Sequence, residues 1–223
     1  MSDILDVLKE KYSEEVGLSF TFFEALIFLV YLIAVYTAAC AGDTGVWGSV
    51  LSKSLGDLLF SDEAIIFKVR VLDFLYSGAL TLLTISVYRK ISGASYRYLS
   101  SLKNMDDYVD RIKAKYQEKD MGGPAMRIYI ANEANEQKKE YMKRITLANG
   151  IGLLSLVLVV SSLLGLVNPN ITDFVILCSG IASLCIMQWN IFAKYTAQVI
   201  PRLVLERVAR NESVRFGDEM QNY

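Results

Sequence analysis

Histidine is absent from the 223-residue chain, which removes imidazole as a general base and as the commonest ligand of transition metals. Cysteine is scarce, and its three copies support no disulfide framework. Cys178 and Cys185 lie about 10 Å apart along one helix, beyond bridging distance, and Cys40 belongs to another segment. All three read as apolar packing residues. Proline occurs only at positions 124, 169 and 201, each at an expected turn or helix end. Enzyme fingerprints are missing too: there is no Walker A pattern, no G-x-S-x-G, no metal-spaced cluster and no dinucleotide motif. No catalytic residue, cofactor or metal is therefore expected. A net charge of −1 gives no footprint for nucleic acid.

What the chain does have is long stretches without charge. Ile145 to Thr172 contains no charged side chain, and neither does Phe174 to Ala193. A bilayer core needs about 20 apolar helical residues to cross it, so each run spans. Asn168-Pro169-Asn170-Ile171-Thr172 separates them as a tight polar turn with a helix breaker inside. In lipid the backbone must satisfy its own hydrogen bonds, so the pair predicts a membrane helical hairpin. Hydrophobic residues make up 53% of the chain and the mean hydropathy is +0.32. That is low for a pure membrane bundle, so part of the chain lies in water.

Residues 1–17 place Leu5, Leu8 and Tyr12 at helical spacing among Asp3, Asp6, Glu10, Glu14 and Glu15, predicting an amphipathic helix rather than a signal peptide. Leu18 to Ala41 reads as the first span, interrupted only by Glu24. Between 42 and 63, Val46, Trp47, Val50, Leu51, Leu55 and Leu58 recur with helical period. They predict a helix over 46–60 lying on the outer surface, with Trp47 as its interfacial anchor. The second span is expected from Ala64 to Tyr88, with Arg70 and Asp73 forming a charged pair at its outer end.

Residues 89–144 form the main soluble part. Leu99, Leu102, Met105 or Asp106, Val109, Ile112 and Tyr116 follow the three–four spacing of one packed seam, and Met121-Gly122-Gly123-Pro124 is a turn. A second helix from Ala125 runs into the third span, giving a cytoplasmic helical hairpin between spans 2 and 3. Residues 145–195 hold spans 3 and 4, and the 196–223 tail contains a basic amphipathic stretch after Pro201 that predicts inner-surface anchoring. Lysine and arginine concentrate in 89–144 and in the tail, so the positive-inside rule puts both of these and the N-terminus in the cytoplasm. The fold class expected is an all-α polytopic membrane protein with four transmembrane helices and cytoplasmic termini.

Near the inner end of the bundle, Glu24, Asn149, Gln188 and Asn190 fall at similar depth. They form a candidate polar layer, serving either interhelical hydrogen bonding or an ion path. Small residues on the second, third and fourth spans (Gly78, Gly150, Gly152, Gly180 and Ser183 among them) mark expected packing faces.

The hairpin and its flanks, KKEYMKRITLANGIG through LVNPNITDF to NIFAKYTAQ, resemble the SLATT-type paired-span membrane modules of bacterial conflict systems. The four-span layout is similar to the KwaA-like small membrane subunits of the Kiwa antiphage system. The resemblance covers the architecture and residues 138–208. It implies a homo-oligomer in the bacterial inner membrane that couples phage-induced membrane perturbation to a soluble cytoplasmic effector. It carries over no site residues.

Three functions stay open at this point. The chain is a non-enzymatic sensor or scaffold that recruits a soluble partner through residues 89–144 or its termini. Alternatively it is an oligomeric pore lined by residues such as Glu24 and Asn149. A third reading is an immunity protein that binds a toxin's helices in the bilayer through its small-residue faces.

Overall fold

The computed structural model describes residues 21–40, 45–52, 69–102, 105–118, 121–165 and 170–211. Every regular element among them is helical. In chain order these are α1 (Thr21–Cys40), α2 (Val46–Leu51), α3 (Val71–Leu102), α4 (Met105–Gln117), α5 (Pro124–Leu164), α6 (Ile171–Lys194), a π-helical segment (Tyr195–Val199) and α7 (Ile200–Ala209). Among the described residues four helices are long and apolar enough to cross a membrane: α1, α3, α5 and the continuous Ile171–Ala209 helix. The described chain is thus all-helical, with four candidate membrane spans. The helix expected over 1–17, residues 53–60 of the expected outer helix, the expected start of span 2 at 64–68, and the tail beyond 211 lie outside the described residues.

Two compact units emerge. An apolar unit is drawn from Phe20–Arg89 and Gly150–Met187, and a charged unit from Lys90–Asn149 and the chain from Gln188 onward.

In the apolar unit the helices cannot rely on the hydrophobic effect to associate, since lipid is as apolar as they are; close packing and hydrogen bonds must do it. Two cross-helix hydroxyl pairs supply the hydrogen bonds: Tyr31 with Thr84 at 2.5 Å, joining α1 to α3, and Ser155 with Ser183 at 2.8 Å, joining α5 to α6. Two glycines on different sides of α5 are close-approach positions. A Cβ on Gly150 would collide with the Phe23 ring, and one on Gly152 would sit 2.6 Å from the Tyr88 hydroxyl. Other hydroxyls turn inward on their own helices: Ser77 donates to Asp73 O, Thr81 to Ser77 O, Ser161 to Val157 O and Ser162 to Leu158 O.

The charged unit is built around an aromatic and aliphatic core. Tyr96 of α3 meets Phe192 and Tyr195 edge-on, with centroids 5.7 and 5.9 Å away. Met105, Val109, Ile145, Leu203 and Val204 close around them. Leu99, Met105, Val109, Ile112 and Tyr116 all pack here, so the seam expected from their spacing exists and Met105 fills its third position. Leu102 leaves the seam and is exposed. Ile145 and Ala148 belong to this core as well, so the charged unit extends past the expected boundary at 144.

The surface-anchoring role expected of the tail is corrected. The apolar face of α7 (Ile200, Leu203, Val204 and Ala209) is buried in protein, where the helix packs on α4. An amphipathic helix satisfies its apolar face equally against a membrane or a partner helix, and here the α4 seam provides the partner. The charged unit is accordingly more than a helical hairpin between α3 and α5, because α7 completes its core. Pro201 likewise does not end the helix. Proline lacks an N–H and its ring crowds the carbonyl four residues back; the π-helical turn at Tyr195–Val199 sits directly before it, and the helix continues to Ala209. The turn at 121–124 does form: Gly122 has φ 70°, Pro124 opens α5, and Gly123 O accepts from Met126 and Arg127 N–H at 3.0 and 3.1 Å.

Candidate functional site at Asp173 and Trp47

Asp173 is the single charged residue between Arg144 and Lys194. It stands in the first turn of α6, where Phe174 N–H closes onto Asn170 O at 3.2 Å. A helix N-terminus favours an acidic side chain, which accounts for its position. Its burial, however, comes from elsewhere. Asp173 is only 2% exposed, and its Oδ1 accepts the backbone N–H of Trp47 at 2.8 Å.

Glycine makes this approach possible. Gly45, just before α2, has φ 71° and ψ 173°, a backbone region that is essentially glycine-only. A Cβ on Gly45 would run into Asp173 Oδ2, and one on Gly165 at the end of α5 would lie 2.9 Å from the same oxygen. The Asp173 side chain therefore latches the short α2 helix to the hairpin of α5 and α6. Asp173 Oδ2 and the buried Trp47 Nε1 have no hydrogen-bond partner among the described residues. One carboxyl group set between Gly45 and Gly165 offers no acid–base pair. Among the described residues no three His, Cys, Asp or Glu side chains converge as a metal set.

The residues singled out from sequence are placed as follows. Trp47 is half-buried and enters the latch through its main chain. Arg70 and Asp73 are joined by a hydrogen bond from the Arg70 backbone N–H to Asp73 Oδ2, 3.1 Å long. In that position Asp73 caps the start of α3, as the third residue of a capping box does. Of the proposed polar layer, Glu24 is half-buried in the apolar unit, while Asn149, Gln188 and Asn190 belong to the charged unit. Asn149 is fully buried, Gln188 is buried with Nε2 unpartnered among the described residues, and Asn190 is half-buried. Sequence reasoning treated Asp173 only as the break between two uncharged runs. Its isolation in so long an uncharged stretch was the available signal.

The charged unit carries its own polar ties. Lys138 of α5 and Glu206 of α7 pair at 2.8 Å with both side chains largely buried, and Arg210 adds a second contact to Glu206 at 3.1 Å. The Tyr108 hydroxyl donates to Thr196 O at 3.1 Å, and burial, with Tyr116 nearby, raises its pKa above the ordinary tyrosine value. A groove of about 250 Å³ opens between Tyr116, Met121, Ile130, Ala134 and Leu205, with Glu133 at its polar side.

Comparison with family models, with curated proteins and with solved structures finds no match for this chain.

Proposed function

We propose that the protein is a non-enzymatic scaffold and sensor of the bacterial inner membrane, with cytoplasmic termini, acting as a homo-oligomer in antiviral defence. It couples perturbation of the bilayer to a soluble effector bound at the charged unit. The observation that supports this reading is helix continuity. The helices Val71–Leu102, Pro124–Leu164 and Ile171–Ala209 each run unbroken from apolar sequence into charged sequence. At 1.5 Å per residue they are about 48, 61 and 58 Å long, whereas the hydrocarbon core is about 30 Å thick. Along each of them a displacement of the apolar stretch reaches the charged stretch of the same helix with no intervening loop. Met126, Ile128 and Tyr129, all exposed at the start of α5, give that unit an apolar surface for a partner. The defence setting rests on the resemblance of the hairpin and its flanks to conflict-system modules.

A pore needs a sustained polar stripe along its spans. The hydroxyls of Ser77, Thr81, Ser161 and Ser162 instead bond to carbonyls of their own helices, which favours the scaffold. Ion flux through liposomes containing the purified chain decides between the two. The scaffold predicts flux equal to that of empty liposomes, with and without a membrane-perturbing peptide; flux that Glu24→Gln abolishes would establish the pore.

A further inference from the structure

Among the described residues near Tyr141, three cations are paired with two carboxylates and a fourth is not. Glu206 is taken by Lys138 and Arg210, and Glu140 by Arg144 at 2.6 Å. Arg202 is left with neutral partners. Its Nε donates to Gln137 Oε1 at 3.3 Å, one terminal nitrogen to Gln198 O at 3.0 Å and the other to the Tyr141 hydroxyl at 3.4 Å. The guanidinium carbon stands 4.5 Å from the centre of the Tyr141 ring. That of Arg144 lies 5.8 Å from the same centre. One aromatic ring thus holds two guanidiniums, and among the described residues no carboxylate neutralises the half-buried one.

A guanidinium has five N–H donors in a fixed fork. Three of those on Arg202 are engaged, so each terminal nitrogen keeps one N–H to give. That is the geometry with which arginine grips phosphate through paired hydrogen bonds. Tyr141 and Arg144 also stand immediately before the uncharged run that begins at Ile145, where charged sequence gives way to apolar sequence and long basic side chains reach a headgroup interface. Trp189 on α6 is 54% exposed five residues before Lys194, and tryptophan favours this same interface.

We propose that Arg202 and Arg144, held on Tyr141, clamp the phosphate of an anionic phospholipid headgroup. The clamp goes beyond the scaffold reading and needs only that α5 crosses a bilayer; it stands whether or not an effector binds. The test is lipid retention by the full chain purified from mixed phosphatidylglycerol and phosphatidylcholine, weighed by native mass spectrometry. Arg144 is already paired with Glu140, so the one uncompensated arginine near a membrane surface predicts about a fivefold preference for the anionic lipid. Arg144→Gln with Arg202→Gln brings this to about twofold or less, whereas Lys139→Gln, an exposed cation on the same helix, leaves it unchanged. A preference that survives the double change, or that Lys139→Gln lowers equally, overturns the clamp. Inorganic phosphate displacing the lipid at millimolar concentration would mark a site for a soluble anion and also overturn it. A measurement without variants guards against misfolding: phosphatidylglycerol added to the wild type raises its melting temperature and phosphatidylcholine does not. Equal effects of the two lipids count against the clamp.

Discussion

Removing the Asp173 side chain isolates the latch. In Asp173→Ala the Trp47 N–H loses the oxygen that accepts it at 2.8 Å. An unsatisfied buried donor costs about 1–3 kcal/mol. The space left by the carboxyl group adds a smaller packing loss. Asp173→Asn retains an oxygen in the same place and keeps most of the bond. Gly45→Ala attacks the latch from the other side: it forces a Cβ into a glycine-only conformation, at about 1–3 kcal/mol, and drives that carbon against Asp173 Oδ2. For a chain of this length, about 2 kcal/mol lowers the melting temperature by roughly 4–8 °C. The assay is thermal unfolding in mild detergent, paired with maleimide labelling of Ser49→Cys on α2. Asp173→Ala and Gly45→Ala should both lower the transition and speed the labelling, with Asp173→Asn close to wild type. The reasoning is refuted if Asp173→Asn falls as far as Asp173→Ala, or if Asp173→Ala melts with the wild type.

Three further outcomes follow from the same geometry. Lys138→Met leaves Glu206, nearly buried, with Arg210 alone, and should cost about 1–3 kcal/mol; adding Glu206→Met should recover part of that loss in urea titration. Tyr31→Phe removes the cross-helix bond to Thr84 and should cost only about 0.6 kcal/mol, since membrane hydrogen bonds average that much; a loss several times larger would mean the pair does more than hold α1 to α3. Tyr108 keeps its proton longer in the folded chain than in the unfolded one. Its contribution is therefore complete below about pH 10, the unfolded value, and is lost as pH rises through the elevated folded value. Stability measured from pH 9 upward should fall less steeply in Tyr108→Phe than in wild type.

The parts of the fold legible in the sequence were those that length and local chemistry encode. The uncharged stretch from Ile145 to Leu164, free of proline, favours helix, and α5 runs helical from Pro124 to Leu164. The Gly122–Pro124 turn was legible because a positive φ and a missing N–H leave those residues few other places. What was not legible depends on distant partners. The apolar face of α7 carries the same pattern whether it meets lipid or α4, so its burial in protein had no local mark. The π-helical turn before Pro201 lets a helix pass a residue that usually stops one. Burial of Asp173 requires Gly45, more than a hundred residues earlier in the chain, to bring α2 back over the hairpin. The contact between Arg70 and Asp73 runs through the Arg70 main chain, because Asp73 stands where a helix start needs an acceptor.

In the proposed function the charged unit holds a soluble partner while the spans hold the membrane. Extraction of the tagged full chain from its native host in gentle detergent, with the intact assembly weighed by native mass spectrometry, is the deciding experiment. The account predicts a homo-oligomer of defined size carrying a soluble protein, which dissociates when Met126, Ile128 and Tyr129 are changed to serine. A homo-oligomer of bare chains, unchanged in mass after those substitutions, would contradict it.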